Sequence, residues 1–234
     1  MRAVVYVPLS CLAASLLLAL SACSSDPAAP EVDPGKENDG GGTAVEGGGG
    51  SAGTTQAPDY PKGPYGQNLE SVIKDYQFWG MRNPKAVNYT VDDTNKELIS
   101  LHDYYNPTGD KSKPRVLLLT WSALWCTYCQ QQAETANDEF KTWNPKGVMF
   151  IEAIFEDNDY NPSRWANLTT WTKTYGFEFP TVLDPAIASG VYFDKSAAPY
   201  NIIVNLTNMK ITFANAGLLD AASAEAEFVS ILGQ

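Results

Sequence analysis

The chain has 234 residues, 44% hydrophobic and 18% charged, with 16 Lys and Arg against 27 Asp and Glu, four Cys and a single His. That length holds one ordinary domain with segments to spare, and a formal net charge of −11 without a basic run excludes the phosphate-neutralising face of a nucleic-acid binder. The lone His102 excludes sites built on two imidazoles, which covers most catalytic zinc sites, bis-His haem and two-His-one-carboxylate iron.

Residues 1–23, MRAVVYVPLSCLAASLLLALSAC, run from one Arg through an apolar stretch to small residues and a Cys, the pattern of a secretory signal. The apolar stretch also suits an uncleaved anchor helix, since about 20 residues span a bilayer. Leu20-Ser21-Ala22-Cys23 resembles the lipobox of bacterial lipoproteins. That resemblance implies a signal peptide over 1–22, cleavage before Cys23 and lipid on Cys23. Ser24 stands where lipoproteins retained in the inner membrane carry Asp, so an outer-membrane anchor is expected.

Residues 24–59 hold nine of the 18 Gly, four Pro, seven acids and one Lys, with no aromatic. Such a segment cannot bury enough apolar surface to offset its ordering entropy, so 23–59 reads as a lipidated Cys and a disordered tether. Its typical reach is roughly 30–36 Å. Residues 60–234 form the expected domain.

From Tyr60 to Tyr76 the chain is rich in Pro and Gly and reads as a wrap around the domain edge. A short strand is expected within 96–105, with His102 at its surface end. Arg115–Trp121 (RVLLLTW) is a continuous apolar run typical of a strand buried on both faces. A helix follows over 129–143, stopped by Asn144-Pro145 and Gly147. Val148–Phe155 (VMFIEAIF) is a second buried strand, and 163–175 a second helix closed by Gly176. After Phe177-Glu178-Phe179-Pro180-Thr181-Val182-Leu183-Asp184-Pro185 come a short helix around 186–192, a strand over 200–206, a partner over 210–214 and a last helix over 221–232. Alternating buried strands and helices with a terminal hairpin give an α/β layered domain around a central mixed sheet.

If the signal leaves with Cys11 and lipid occupies Cys23, the cysteines left are Cys126 and Cys129. They stand in Trp125-Cys126-Thr127-Tyr128-Cys129, just after a buried strand and at a helix start. A thiolate at a helix N-terminus is favoured by free N–H groups and the helix dipole, and a Cys one turn on can resolve a mixed disulfide. Structural zinc needs more ligands than two Cys and a remote His supply. Covalent haem needs His after the second Cys, where this chain has Gln130. An inert structural disulfide stays open as an alternative, although so short a loop gains little closure entropy.

The stretch Leu117–Cys129 (LLLTWSALWCTYC) resembles the strand, Trp-Cys-x-x-Cys and helix of the thioredoxin-like superfamily, within it the TlpA/ResA-type envelope thiol-disulfide oxidoreductases and redoxins. Ala198-Pro199-Tyr200 resembles the family's cis-proline loop. The resemblance covers about 65–232 and implies a thioredoxin-like fold. It further implies exchange with protein substrates through Cys126 and Cys129, and substrate positioning by Trp125, Ala198 and Pro199. No cofactor beyond the disulfide, no metal and an undetermined redox partner are expected. Two acids of the family are missing: Thr120 stands six residues before the first Cys and Gln132 three past the second. Glu152, flanked by Ile151 and Ala153, is the expected substitute proton acceptor, with an edge residue reaching water as its alternative.

Two other functions compete. A peroxiredoxin-like peroxidase would need Thr at 123, where Ala123 stands. A non-enzymatic surface lipoprotein would use the fold as a binding module, with Tyr160, Trp165, Trp171 and Tyr175 as a sticky face.

Overall fold

The computed structural model describes residues 59–90, 92–187 and 195–233. The signal and Cys23, nearly all of the tether, and most of the helix expected at 186–192 lie outside them. No helix among the described residues is long and apolar enough to cross a membrane.

The apolar run expected at 115–121 forms β3 (Val116–Ala123), every residue of it buried. It pairs in parallel with β4 (Val148–Glu156) on one side and antiparallel with β6 (Tyr200–Asn205) on the other. β7 (Lys210–Ala216) closes the terminal hairpin against β6. With β1 (Gln77–Met81), β2 (Glu97–Ser100) and β5 (Thr181–Leu183) added, the sheet has seven strands among the described residues, ordered β2-β1-β5-β4-β3-β6-β7. With strands on both edges and helices packed over the sheet, β3 is buried on both faces, which is why it carries no alternation.

The helices are α1 (Thr127–Trp143), α2 (Trp165–Tyr175) and α3 (Ala221–Leu232). In α1 the buried positions Cys129, Ala133, Ala136 and Trp143 recur at intervals of one or two turns and make a narrow apolar stripe. Trp143 meets Phe228 of α3 at 5.2 Å between ring centroids, and Phe140 meets Phe150 and Phe179 at 5.7 and 5.2 Å. Asn137 donates to the Gly176 carbonyl at 2.7 Å, joining α1 to the end of α2. The Cys126–Cys129 segment is therefore anchored from both directions: below by β3 and behind by a packed helix.

Two features depart from the sequence expectation. The strand expected within 96–105 stops at Ser100, whose hydroxyl accepts from His102 N at 3.1 Å while the Asp103 carboxylate accepts from Ser100 N at 3.1 Å. This capping box turns Leu101–Tyr104 into a 3-10 helix. His102 consequently sits half-buried on that turn, its ring 5.5 Å from Tyr60 and 6.3 Å from Tyr105, not at a strand end. The second departure is β1, which the Pro- and Gly-rich approach and the Gly80 inside QFWGM conceal.

Gly80 is there for space. A Cβ built on it would lie 2.3 Å from the Thr181 carbonyl oxygen and 2.7 Å from Val182 Cγ1. Gly80→Ala therefore pushes β1 off β5, and urea unfolding should show a loss of about 1–3 kcal/mol. An unchanged midpoint would mean that β1 and β5 do not pair this closely.

Candidate active site

Cys126 is the N-cap of α1, and its Sγ accepts from Cys129 N at 3.0 Å. The same sulfur is disulfide-bonded to Cys129, with the two Cα atoms 5.2 Å apart. Once the bond opens, the first-turn N–H and the helix dipole act on Cys126 and favour its thiolate. Cys129 is fully buried beneath it. Cys126 Sγ also lies 3.3 Å from the Ala198 carbonyl oxygen. The Ala198–Pro199 bond is cis, as the resemblance implied. Residues 72 positions apart in sequence thus meet at the sulfur.

Trp125 is the next wall. Its Nε1 donates to Glu156 Oε2 at 2.9 Å, and its ring stacks on Tyr160 at 5.0 Å. Of the four aromatics considered as a sticky face, Trp171 is buried, Trp165 and Tyr175 are half-buried, and Tyr160 is exposed. They form no common surface, because the first three pack against the body of the domain.

Beneath α1 the sheet carries a row of buried polar residues set by register: Asn201 on β6, Thr120 on β3, Glu152 on β4 and Thr181 on β5. Thr120 Oγ1 donates to Asn201 Oδ1 at 2.8 Å, and Gln132 Nε2 donates to the same oxygen at 2.7 Å. Gln132 Oε1 accepts from Leu219 N at 2.9 Å. The two positions that depart from the family's acids are thus joined in a neutral amide–hydroxyl network. Its third member, Asn201, went unnoticed in the sequence; the only signal was a polar residue in an otherwise aliphatic strand, Asn201-Ile202-Ile203-Val204.

Glu152 is buried, and desolvation pushes its carboxyl up to about 8. Ser122 and Trp171 are close enough to moderate the rise, yet Ser122 Oγ and Trp171 Nε1 meet no hydrogen-bonding partner with proper geometry. The edge-residue alternative is therefore ruled out by burial. Glu152, Thr120, Gln132 and Glu139 share the lining of a cavity of about 10 Å3. Burial also raises Glu139, which the Thr135 hydroxyl partly offsets. Among the described residues no group of three or more His, Cys, Asp or Glu is placed to hold a metal.

The model of the AhpC/TSA family matches residues 83–205, more than half of the sequence, and spans Cys126, Cys129, Glu152 and Pro199. The chain belongs to the AhpC/TSA family. This redoxin's fold is thioredoxin-like: a solved Chlorobium tepidum protein provisionally named thiol:disulfide interchange protein DsbE superposes with a TM-score of 0.53 at 15% identity, covering 72% of this chain and 100% of its own. A Bacteroides thetaiotaomicron protein provisionally named a protein disulfide isomerase gives 0.52 at 15% identity, over 71% and 91%. An uncharacterized conserved protein of Geobacillus kaustophilus gives 0.54 at 14% identity, over 71% and 83%. A comparison with curated proteins finds no match. Family membership and the Cys126–Cys129 disulfide make this AhpC/TSA chain a redoxin enzyme.

Proposed function

We propose that this redoxin is an envelope-anchored thiol-disulfide oxidoreductase acting on protein substrates. The observation that carries the reading is Cys126 Sγ at a helix N-terminus, bonded to a buried Cys129 and 3.3 Å from the Ala198 carbonyl. In the dithiol form, the Cys126 thiolate attacks one sulfur of a substrate disulfide. A Cys126–substrate S–S bond forms, the substrate S–S bond breaks, and the first substrate thiolate leaves. Cys129 then loses its proton and attacks Cys126 Sγ, releasing the second substrate thiolate. Two electrons pass to the substrate and the protein ends as the disulfide; the reverse steps oxidise a substrate dithiol.

Glu152 takes the Cys129 proton in this reading. A carboxyl raised to about 8 ionises in the range where thiols do, and it shares a cavity with Gln132, one helical turn past Cys129. The cavity has room for about one water molecule, which would sit beside the Glu152 carboxyl and the Gln132 side chain. Trp125, Ala198 and Pro199 form the shelf on which substrate backbone lies.

The anchor is proposed on the sequence alone: residues 1–22 as signal peptide, lipid on Cys23, and 24–59 as tether to an outer membrane. Acyl chains partition at about 0.8 kcal/mol per buried methylene, so several chains hold the protein at a bilayer. Cys23→Ser should abolish lipid attachment and block cleavage, so that the longer precursor accumulates. Processing and membrane association both unchanged would overturn the lipid anchor while leaving the chemistry intact.

Insulin reduction by the pre-reduced chain tests the activity, with hydrogen peroxide consumption as a second arm because the AhpC/TSA match brings a peroxidase into consideration. Ala123 at the position of the peroxidatic Thr predicts insulin reduction without appreciable peroxide turnover. Peroxide consumed with insulin untouched would make it a peroxidase. Neither reaction, with a disulfide that resists strong reductant, would make it a binding module.

A further inference from the structure

Trp125, Glu156, Tyr160 and Ser196 line an open pocket of about 300 Å3. Its place is set by the redox site: Trp125 precedes Cys126, and Ser196 lies two residues before Ala198, whose carbonyl faces the Cys126 sulfur. A peptide whose cysteine reaches Cys126 therefore carries a neighbouring side chain to this pocket. Its walls are aromatic and its base is an acid. Glu156 is 4% exposed and holds the Trp125 indole by the 2.9 Å hydrogen bond, while Tyr160 is 66% exposed.

Tyr160 is also held in place at a cost. It adopts φ +62°, a backbone region that a bulky side chain rarely occupies. The turn that imposes this is tied by Asp157 Oδ1, which accepts from Asp159 N and Asn161 N, each at 2.9 Å. The result is a fixed aromatic ring stacked over Trp125 instead of a mobile loop residue. Aromatic faces beside a carboxylate suit a cation, through ring quadrupole and charge together. Asp157 and Asp159 stand in the turn that carries Tyr160, and none of the described residues lining the pocket is a Lys or Arg.

We infer that this pocket is a specificity subsite for a Lys or Arg side chain flanking the substrate cysteine, with Trp125 and Tyr160 giving the aromatic faces and Glu156 the charge. The inference deepens the oxidoreductase reading and rests on it for the kinetic arm of the test only.

The test uses the full chain and three hexapeptides that differ in one residue beside cysteine: Lys, Ala or Glu. In the kinetic arm, each is presented as a mixed disulfide with thionitrobenzoate and kcat/KM is read from the released chromophore. The Lys peptide should exceed the Glu peptide by about tenfold. Glu156→Gln, which retains an oxygen for the Trp125 indole, should cut that ratio to about twofold. Glu225→Gln, the same charge change on the exposed face of α3, should leave it unchanged. In the binding arm, the oxidised chain is titrated with Ser-for-Cys versions of the peptides, and their Kd values should fall in the same order. Equal binding of the three peptides, or equal loss of preference in both Glu variants, overturns the subsite. Ordered binding without turnover of any peptide supports the subsite and overturns the oxidoreductase reading instead.

Discussion

Cys126→Ser is expected to lower insulin reduction by on the order of a thousandfold or more, because the group that attacks the substrate is gone and the thiol that remains in the first turn, Cys129, is fully buried. The loss should come without unfolding. Serine is a good N-cap, and its Oγ can accept the Cys129 N–H that Cys126 Sγ accepts now. The disulfide it removes spans a separation of only three residues, so little chain entropy depends on it. Thermal melting of the variant should therefore resemble that of the reduced wild type. Activity retained in Cys126→Ser, or lost only together with the folded state, would contradict the assignment of the nucleophile.

Glu152→Gln should change how both stability and reactivity depend on pH. The folded-state carboxyl is raised from 4.5 to about 8 by burial, so between those values the folded protein holds a proton that the unfolded chain has released. Stability contributed by this group is complete below about pH 4.5 and is lost as pH rises toward 8, at about 1.4 kcal/mol per unit. Subtracting the urea-unfolding profile of Glu152→Gln from that of the wild type should expose this slope, since other titrating groups cancel. The glutamine variant is then the more stable of the two at pH 8.5, by an amount on the order of a few kcal/mol. In parallel, Cys129 alkylation in the reduced protein should lose one titration step. Superimposable stability profiles would place Glu152 in water; the expected stability slope with unchanged alkylation would leave it buried but outside the proton path.

The redox centre was largely legible in the sequence because its parts are local. Trp125, Cys126 and Cys129 fall between a buried-strand pattern and a helix start, and Pro199 immediately precedes an aliphatic strand. The order of β3, α1, β4 and the terminal hairpin followed from the same patterns. What did not show was set by pairing across the sheet. β1 has five residues, one of them a glycine required by the approach of Thr181, so neither alternation nor β propensity marks it. β5 has three residues and exists because β4 and β1 flank it.

The polar row beneath α1 is likewise a property of register. Thr120 and Gln132 could be noticed singly as departures from the family, but their junction through Asn201 needs β3 and β6 aligned. The environment of Glu152 was ambiguous for the same reason: its neighbours Ile151 and Ala153 suggest burial, yet only the parallel pairing with Thr120 and Thr181 shows that water is excluded. His102 illustrates the opposite error, in which a local capping box at Ser100 and Asp103 overrode a strand-like pattern.

The most direct test of the central claim is a trapping measurement. The reduced full-length Cys129→Ser variant is incubated with insulin, and tryptic peptides are mapped by mass spectrometry. A dithiothreitol-sensitive insulin adduct on Cys126, absent when Cys126→Ser is added to the same variant, is the predicted result. No adduct at all, or an adduct that persists without Cys126, would contradict it.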